Sequence, residues 1–161
     1  MARTLVLDPY KNYRFKVYFG EGSSDAVAGV TNVSALSRSI EAISFRDGGG
    51  DSVPSSCPSP GLASFEPLTL SRGMTKDGTF HAWAMALDPV NGYDESEGNA
   101  NIRKDITIEL CNDKGDTVLK YRVYDCWVSQ YQALPDLNST DNAIAIQTLT
   151  IQHEGFQRET E

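Results

Sequence analysis

Residues 37–50 read SRSIEAISFRDGGG, an extended segment that ends in three consecutive glycines and whose apolar positions change sides halfway along. Side chains of an extended chain alternate at period two, so Ile40 and Ala42 share one face while Ile43 and Phe45 lie on the other. A strand set between one core and one solvent layer does not switch in this way. Two physical explanations stand open: a bulge near Ala42, or a strand that leaves one apolar environment and enters another.

The end of the chain repeats the pattern. In residues 142–156, NAIAIQTLTIQHEGF, the large apolar residues are Ile144 and Ile146, then Leu149 and Ile151, and the two pairs again fall on opposite faces. Two switching strands point to segments that run from their own core into a surface buried by another subunit. On this reading Ile40, Ala42, Ile43, Phe45, Ile144, Ile146, Leu149 and Ile151 are subunit contacts, joined by Gly48, Gly49 and Gly50. The alternative is a pair of bulges in a monomeric barrel.

Period-two patterns dominate the rest. Tyr13, Phe15, Val17 and Phe19 oppose Asn12, Arg14 and Lys16, and Ile102, Ile106, Ile108 and Leu110 oppose Arg103, Asp105, Thr107 and Glu109. The sequence NDKGD at 112–116 has hairpin chemistry and turns the second of these strands back into residues 117–131. That run would extend roughly 50 Å at ~3.3 Å per residue, so a bend, a bulge or an extension beyond the body is expected within it. Further strands are expected at 30–36, 38–46, 64–71 and 143–153.

One helix stands out, because Phe80, Trp83, Ala84 and Leu87 recur at helical spacing, Asp77 is placed to cap the start and Pro89 follows the end. Phe80, Trp83 and Leu87 are its expected anchors in the core. The fold class is therefore mainly β: a small antiparallel barrel or sandwich with one amphipathic helix, in a single domain over 1–161. Residues 47–61 and 88–101, rich in Gly, Pro, Ser and acidic side chains, are expected to be long contact loops.

The chain has 161 residues, of which 40% are hydrophobic and 22% charged, the balance of an ordinary folded protein. Its formal net charge of −8, with no basic cluster longer than Arg103–Lys104, argues against a module that reads nucleic acid. MARTLVLDPY at the start lacks the apolar run of a secretion signal or membrane span, so assembly in the cytoplasm is expected, with no stable membrane insertion.

Cys57, Cys111 and Cys126 form no CxxC pair and read as plain thiols. The two histidines, His81 and His153, lie outside any metal-ligand spacing, and Asp88, Asp94, Glu95 and Glu97 read as a solvated acidic loop lacking the EF-hand pattern. No GxSxG, GxxxxGK[ST] or GxGxxG occurs. No catalytic residue, metal site or cofactor is therefore assigned, and the chain is not read as an enzyme.

Taken in order, several segments resemble the tail tube protein family of contractile phage tails and phage-tail-like injection systems. DPYKNYRFKVYF (8–19) is similar to the family's opening strand and VSALSRSIEAISFRDGG (33–49) to its next hairpin. PGLASFEPLTLSRGMT (60–75) resembles its proline-glycine, strand and L-x-R-G sequence, and FHAWAMAL (80–87) its tryptophan-bearing helix. ITIELCNDKGDTVLKYRVYDCWVSQY (106–131) resembles the central hairpin, and residues 142–156 the closing strand ending in His-Glu-Gly. The departures are the 88–101 segment, longer than usual, and the Ser- and Cys-bearing 51–59 segment.

The resemblance implies homo-hexameric rings stacking into a hollow tube, inside a sheath and joined to a baseplate hub, a tail terminator and a tape measure. It implies a component of a phage tail or phage-tail-like particle through which DNA or protein passes without specific binding. In such a ring, strands of neighbouring subunits join into one wall, which accounts for the switching faces. The related ring component of type VI secretion is one alternative. A monomeric β-sandwich binding module, with a ligand cleft between long loops, and a carboxylate-dependent hydrolase are alternatives of other classes.

Overall fold

The computed structural model describes residues 10–20, 25–27, 29–45, 57–87, 102–140 and 142–159. The sequence of elements is β1 (Phe15–Phe19), β2 (Val30–Val33), β3 (Arg38–Phe45), β4 (Cys57–Phe65), β5 (Leu68–Gly73), α1 (Thr79–Ala84), β6 (Lys104–Cys111), β7 (Thr117–Gln132), β8 (Ile146–Gln152) and β9 (Gly155–Glu159), with a 3-10 turn, Met85–Leu87, continuing α1. Seven strands form one antiparallel sheet in the order β1-β6-β7-β8-β5-β2, with β9 branching from β7, while β3 and β4 pair with each other in a separate ribbon.

The long strand β7 organises the body. From Thr117 to Cys126 it pairs with β6, and over Lys120–Tyr124 it also carries β9 on its other edge. From Trp127 to Gln132 it pairs with β8 instead. The change of partner coincides with Asp125, whose φ of 51° lies in the left-handed region that Asp tolerates better than most residues. Asp105 on β6 fastens the corner: its carboxylate accepts from the Asp125 N–H at 3.1 Å and from Arg122 Nε and Nη2 at 3.0 and 2.7 Å. The bend expected in this run is thus present, and it folds the sheet over its own apolar face.

The core lies in that fold, where Val17, Leu68, Leu70, Ile106, Val123, Cys126, Leu149 and Ile151 from five strands meet Phe80 and Trp83 of α1. The helix has only its Phe80–Trp83 side buried. Phe19 packs on both rings, with centroids 5.7 Å from Phe80 and 4.8 Å from Trp83. Trp83 Nε1 donates to the Ile102 carbonyl at 2.9 Å, so its polar atom stays partnered in a dry site. Burial pushes the Cys126 thiol up to about 12, which keeps it protonated.

A buried cation joins sheet to helix. Arg72 on β5 is fully buried, with Nη1 2.9 Å from Asp77 Oδ2 and its guanidinium 4.2 Å above the Phe80 ring. Since Arg72 has only donors, the Gln147 amide turns its oxygen towards it, accepting from Nε at 2.6 Å and Nη2 at 3.1 Å, and donates to the Tyr131 hydroxyl at 3.1 Å. Asp77 Oδ1 accepts the Thr79 N–H at 3.0 Å at the start of α1, although Gly78 holds the N-cap position. Hydrogen bonds from Thr79, then Arg72, hold the Asp77 carboxyl below the usual carboxylate range.

The structure corrects several boundaries. Residues 57–61, expected within a long loop, belong to β4, where Pro58 and Pro60 are tolerated because a two-stranded ribbon consists of edge strands. The strand expected at 64–71 is divided by Glu66 and Pro67 into β4 and β5, β2 stops at Val33, and β9 has no counterpart among the expected strands. α1 ends at Ala84, with Leu87 in the 3-10 turn. Gly48, Gly49, Gly50 and the 88–101 segment lie outside the described residues.

Two measurements check this packing. Trp83→Ala removes a buried ring and orphans the Ile102 carbonyl, so urea denaturation should show a loss of about 3–5 kcal/mol. Because Asp77 is depressed in the folded state, its contribution is present above the unfolded carboxylate pKa and is lost as pH falls through the lower folded value. Asp77→Asn should therefore lower the melting temperature at neutral pH and flatten its fall on acidification.

Candidate assembly surface

The ribbon of β3 and β4 carries the stretch that switches sides. Pairing steps from Ile40↔Ala63 to Ala42↔Pro60, so β4 gains a residue where β3 does not, and the bulge belongs to β4. The alternation along β3 is uninterrupted: Ile40 and Ala42 lie on one face of the ribbon and Ile43 on the other, while of Phe45 only the backbone pairing with Cys57 is described. Gly61 is required at the bulge, because a Cβ there would lie 2.9 Å from both the Glu41 carbonyl oxygen and Ile43 Cγ1.

Neither face of β3 rests on the body. Ile40 is 47% exposed, Ile43 54% and Leu62 on β4 79%, and Ala42 is exposed as well. This corrects the expectation that the segment starts out in the chain's own core. A two-stranded ribbon with bare isoleucines on both sides is marginal in water by itself.

The root of the ribbon, in contrast, is clamped. The Phe65 ring lies 5.7 Å from His153 and 6.0 Å from Phe156 between ring centroids, and it closes over Gly155, where an added Cβ would be 3.4 Å from Phe65 Cζ. His153 Nε2 lies 3.0 Å from the Glu66 carbonyl; a carbonyl only accepts, so this nitrogen carries the proton. The His-Glu-Gly-Phe sequence at 153–156 therefore holds the base of the arm, a role that no spacing in the sequence announces. His81 is exposed on α1, its ring 6.0 Å from that of Tyr131.

The second switching strand has a different cause. β8 pairs with β5 in unbroken register from Leu68↔Ile151 to Gly73↔Ile146, and its inward positions are Gln147, Leu149 and Ile151. Leu149 and Ile151, expected among the subunit contacts, are fully buried in the chain's own core and unavailable to a neighbour. Ile146 and Ile144 are exposed at 43% and 82%. Phe80 and Trp83 are buried as described above.

Charge is unevenly placed. On the outward face of β6, β7 and β9, Lys120 pairs with Glu159 at 3.1 Å and Arg122 with Asp105 at 2.7 Å. The Tyr18 hydroxyl donates to Glu109 at 3.3 Å; burial first, then the Glu109 charge, raises the Tyr18 pKa. Across the bend, the outward positions Thr69, Ser71, Thr148 and Thr150 of β5 and β8 carry hydroxyls alone. Among the described residues no group of three His, Cys, Asp or Glu is arranged to hold a metal ion.

The model of the family described as T4-like virus tail tube protein gp19 matches residues 11–157, nearly the whole of this fold. The chain belongs to this tail tube family. Its fold is similar to a chain of the PVC sheath-tube complex of an extracellular contractile injection system in the extended state, with a TM-score of 0.76, 25% identity, and coverage of 97% of this chain and 95% of that one. It is equally similar to a chain of the anti-feeding prophage cap, the AFP tube terminating cap, with a TM-score of 0.76, 25% identity, and coverage of 99% and 97%. Hcp1 from Flavobacterium johnsoniae shares the fold at a TM-score of 0.54 and 14% identity, over 89% of this chain and 93% of that one. None of the curated proteins matches the chain. As members of the family are structural tube proteins, the chain is a structural subunit.

The bulge gives a test of the ribbon alone. Gly61→Val should displace Ile43 and shift the β3–β4 register while leaving the core untouched. Amide exchange should accelerate in β3 and β4 only, with the protection of β5 and β8 unchanged.

Proposed function

We propose that the chain is the inner-tube subunit of a contractile tail or injection particle, closing as six copies into rings that stack into a hollow tube within a sheath. One observation carries the reading: a ribbon standing off a well-packed body with isoleucines bare on both faces. Such a ribbon gains a partner on each side when subunits join, and its apolar area then leaves water. The sheath-tube and tube-cap structures to which the chain is similar support a sheath and a terminating cap as partners here, and a baseplate is proposed at the other end. Residues 47–56 and 88–101 are proposed as further contacts between subunits or rings.

The role is mechanical. Contraction of the sheath drives the tube forward, and DNA or protein cargo moves through its lumen. The net charge of −8 per copy suits a conduit, because any of it facing the lumen repels a passing polyanion.

Electron microscopy of the purified protein tests the proposal directly, since the wild type should form rings or tubes. A lysine at Ile40 or at Ile43 would bury an unpaired charge in the assembled wall, at a cost of several kcal/mol. Both side chains are exposed in the single subunit, so both variants should give wild-type circular dichroism and elute as folded monomers. Tubes of normal length from both variants would remove the ribbon from the assembly and with it the support for this reading.

A further inference from the structure

Apart from Leu134 and Leu137, which follow the end of β7, the large exposed aliphatic side chains among the described residues fall into two groups. One group lies on the ribbon: Ile40, Ile43 and Leu62. A second lies at one end of the body, where Met74, Ile144 and Ile146 are exposed together. The Met74 N–H donates to the Ala145 carbonyl at 2.9 Å, Gly73 is in register with Ile146, and a Cβ on Gly73 would be 3.9 Å from Ile144 Cγ2. The register puts Ile144 and Ile146 on one face at the end of β5 and β8, with Met74, opposite Ala145, at its edge.

The two groups sit at opposite ends of the same strand. The ribbon joins the body at Glu66, whose N–H bonds to the Ser37 carbonyl just before β5 begins at Leu68. The patch lies past Gly73, where β5 ends, about 17 Å away at ~3.3 Å per residue. No single subunit needs its two apolar groups displayed at its two ends, but a head-to-tail contact does.

We infer that the Ile40 face of the ribbon seats on the Ile144–Ile146 patch of a second copy of this chain. The inference rests on the tube reading above and names what the arm grips. Chemistry selects the face: from Ile40 outward its pairs are Ile40 with Ala63, Ala42 with Pro60 and Ser44 with Pro58, all uncharged, whereas Ile43 shares its face with Glu41. The receiving side is uncharged too, for the outward neighbours of Ile146 on β8 and β5 are Thr148, Ser71 and Gly73. Arm and socket are different surfaces, so the contact is heterologous. The pair keeps one free arm, on one copy, and one free socket, on the other, so association continues into a ring or a stack.

That asymmetry supplies the test. Ile40→Lys spoils the arm and leaves the socket; Ile144→Lys spoils the socket and leaves the arm. Each variant alone should stop at a smaller species than the wild type, read by analytical ultracentrifugation and microscopy. Mixed in equal amounts, they share one good arm and one good socket and should associate one step further, doubling the mass of the largest species without forming wild-type tubes. Ile144 is mostly exposed, so folding should persist, and Ile146→Lys is a second socket variant should Ile144→Lys lose its circular dichroism signal.

If the socket variants form tubes as the wild type does, or if mixing adds nothing, the arm seats elsewhere and this inference falls while the tube reading stands. A wild type that remains monomeric at every concentration removes both.

Discussion

A guanidinium taken wholly out of water dictates much of this fold. Arg72 projects from β5 into the core, where an unpaired charge would be prohibitive, so every group around it is arranged to receive it. Asp77 supplies the counter-charge, Gln147 an amide oxygen and Phe80 the face of a ring. These three come from the turn before α1, from β8 and from α1. The pair contributes less by its own Coulomb energy than by its geometry, since desolvation offsets most of the attraction between buried ions. What it secures is a unique docking: α1 can lie against the sheet only where Asp77 meets Arg72.

The same cation explains the end of the chain. Along β8 the inward row runs Ile151, Leu149, Gln147, so the apolar row stops where a polar partner for Arg72 is required. Outward, the row runs Gln152, Thr150, Thr148, Ile146, and becomes apolar only at its last position. The apparent change of sides in the sequence is thus two separate facts: a core row capped by an amide, and a surface patch beginning on the opposite face. No bulge interrupts the pairing of β8 with β5, and none is needed to account for it.

The residues that carry period-two alternation were readable from the sequence, as was the helix, because burial on one face leaves a periodic trace. The turn at Asn112–Asp116 was readable too: Asn112 Oδ1 accepts the N–H groups of Lys114 and Asp116, both at 2.9 Å, as Asn does when it closes a turn. Bend, bulge and clamp left weaker traces. Asp125 is one residue in a strand of otherwise ordinary composition, and its left-handed φ depends on Asp105, twenty positions away. Residues 57–61 are spelled with Pro and Gly, which reads as a loop unless the strand is known to be an edge. Phe65, His153 and Gly155 meet only in space, and β9 is too short and polar to show a period. The same holds for Leu149 and Ile151, whose chemistry suits a subunit contact and a core equally; only the fold assigns them to the core.

The unequal distribution of packing follows from these constraints. A body fixed by a buried ion pair, a shared bent strand and an aromatic core is rigid, and a ribbon clamped at Phe65 and otherwise bare inherits that rigidity only at its root. Binding energy at the ribbon must therefore come from outside the subunit. An arm already rigid and self-sufficient would gain little by docking, whereas an arm whose isoleucines lie in water gains most of its burial at the moment of assembly. The bare apolar faces of β3 are in this sense the counterpart of the fully supported Arg72: one chain places its satisfied charge inside and leaves hydrophobic surface exposed on its ribbon.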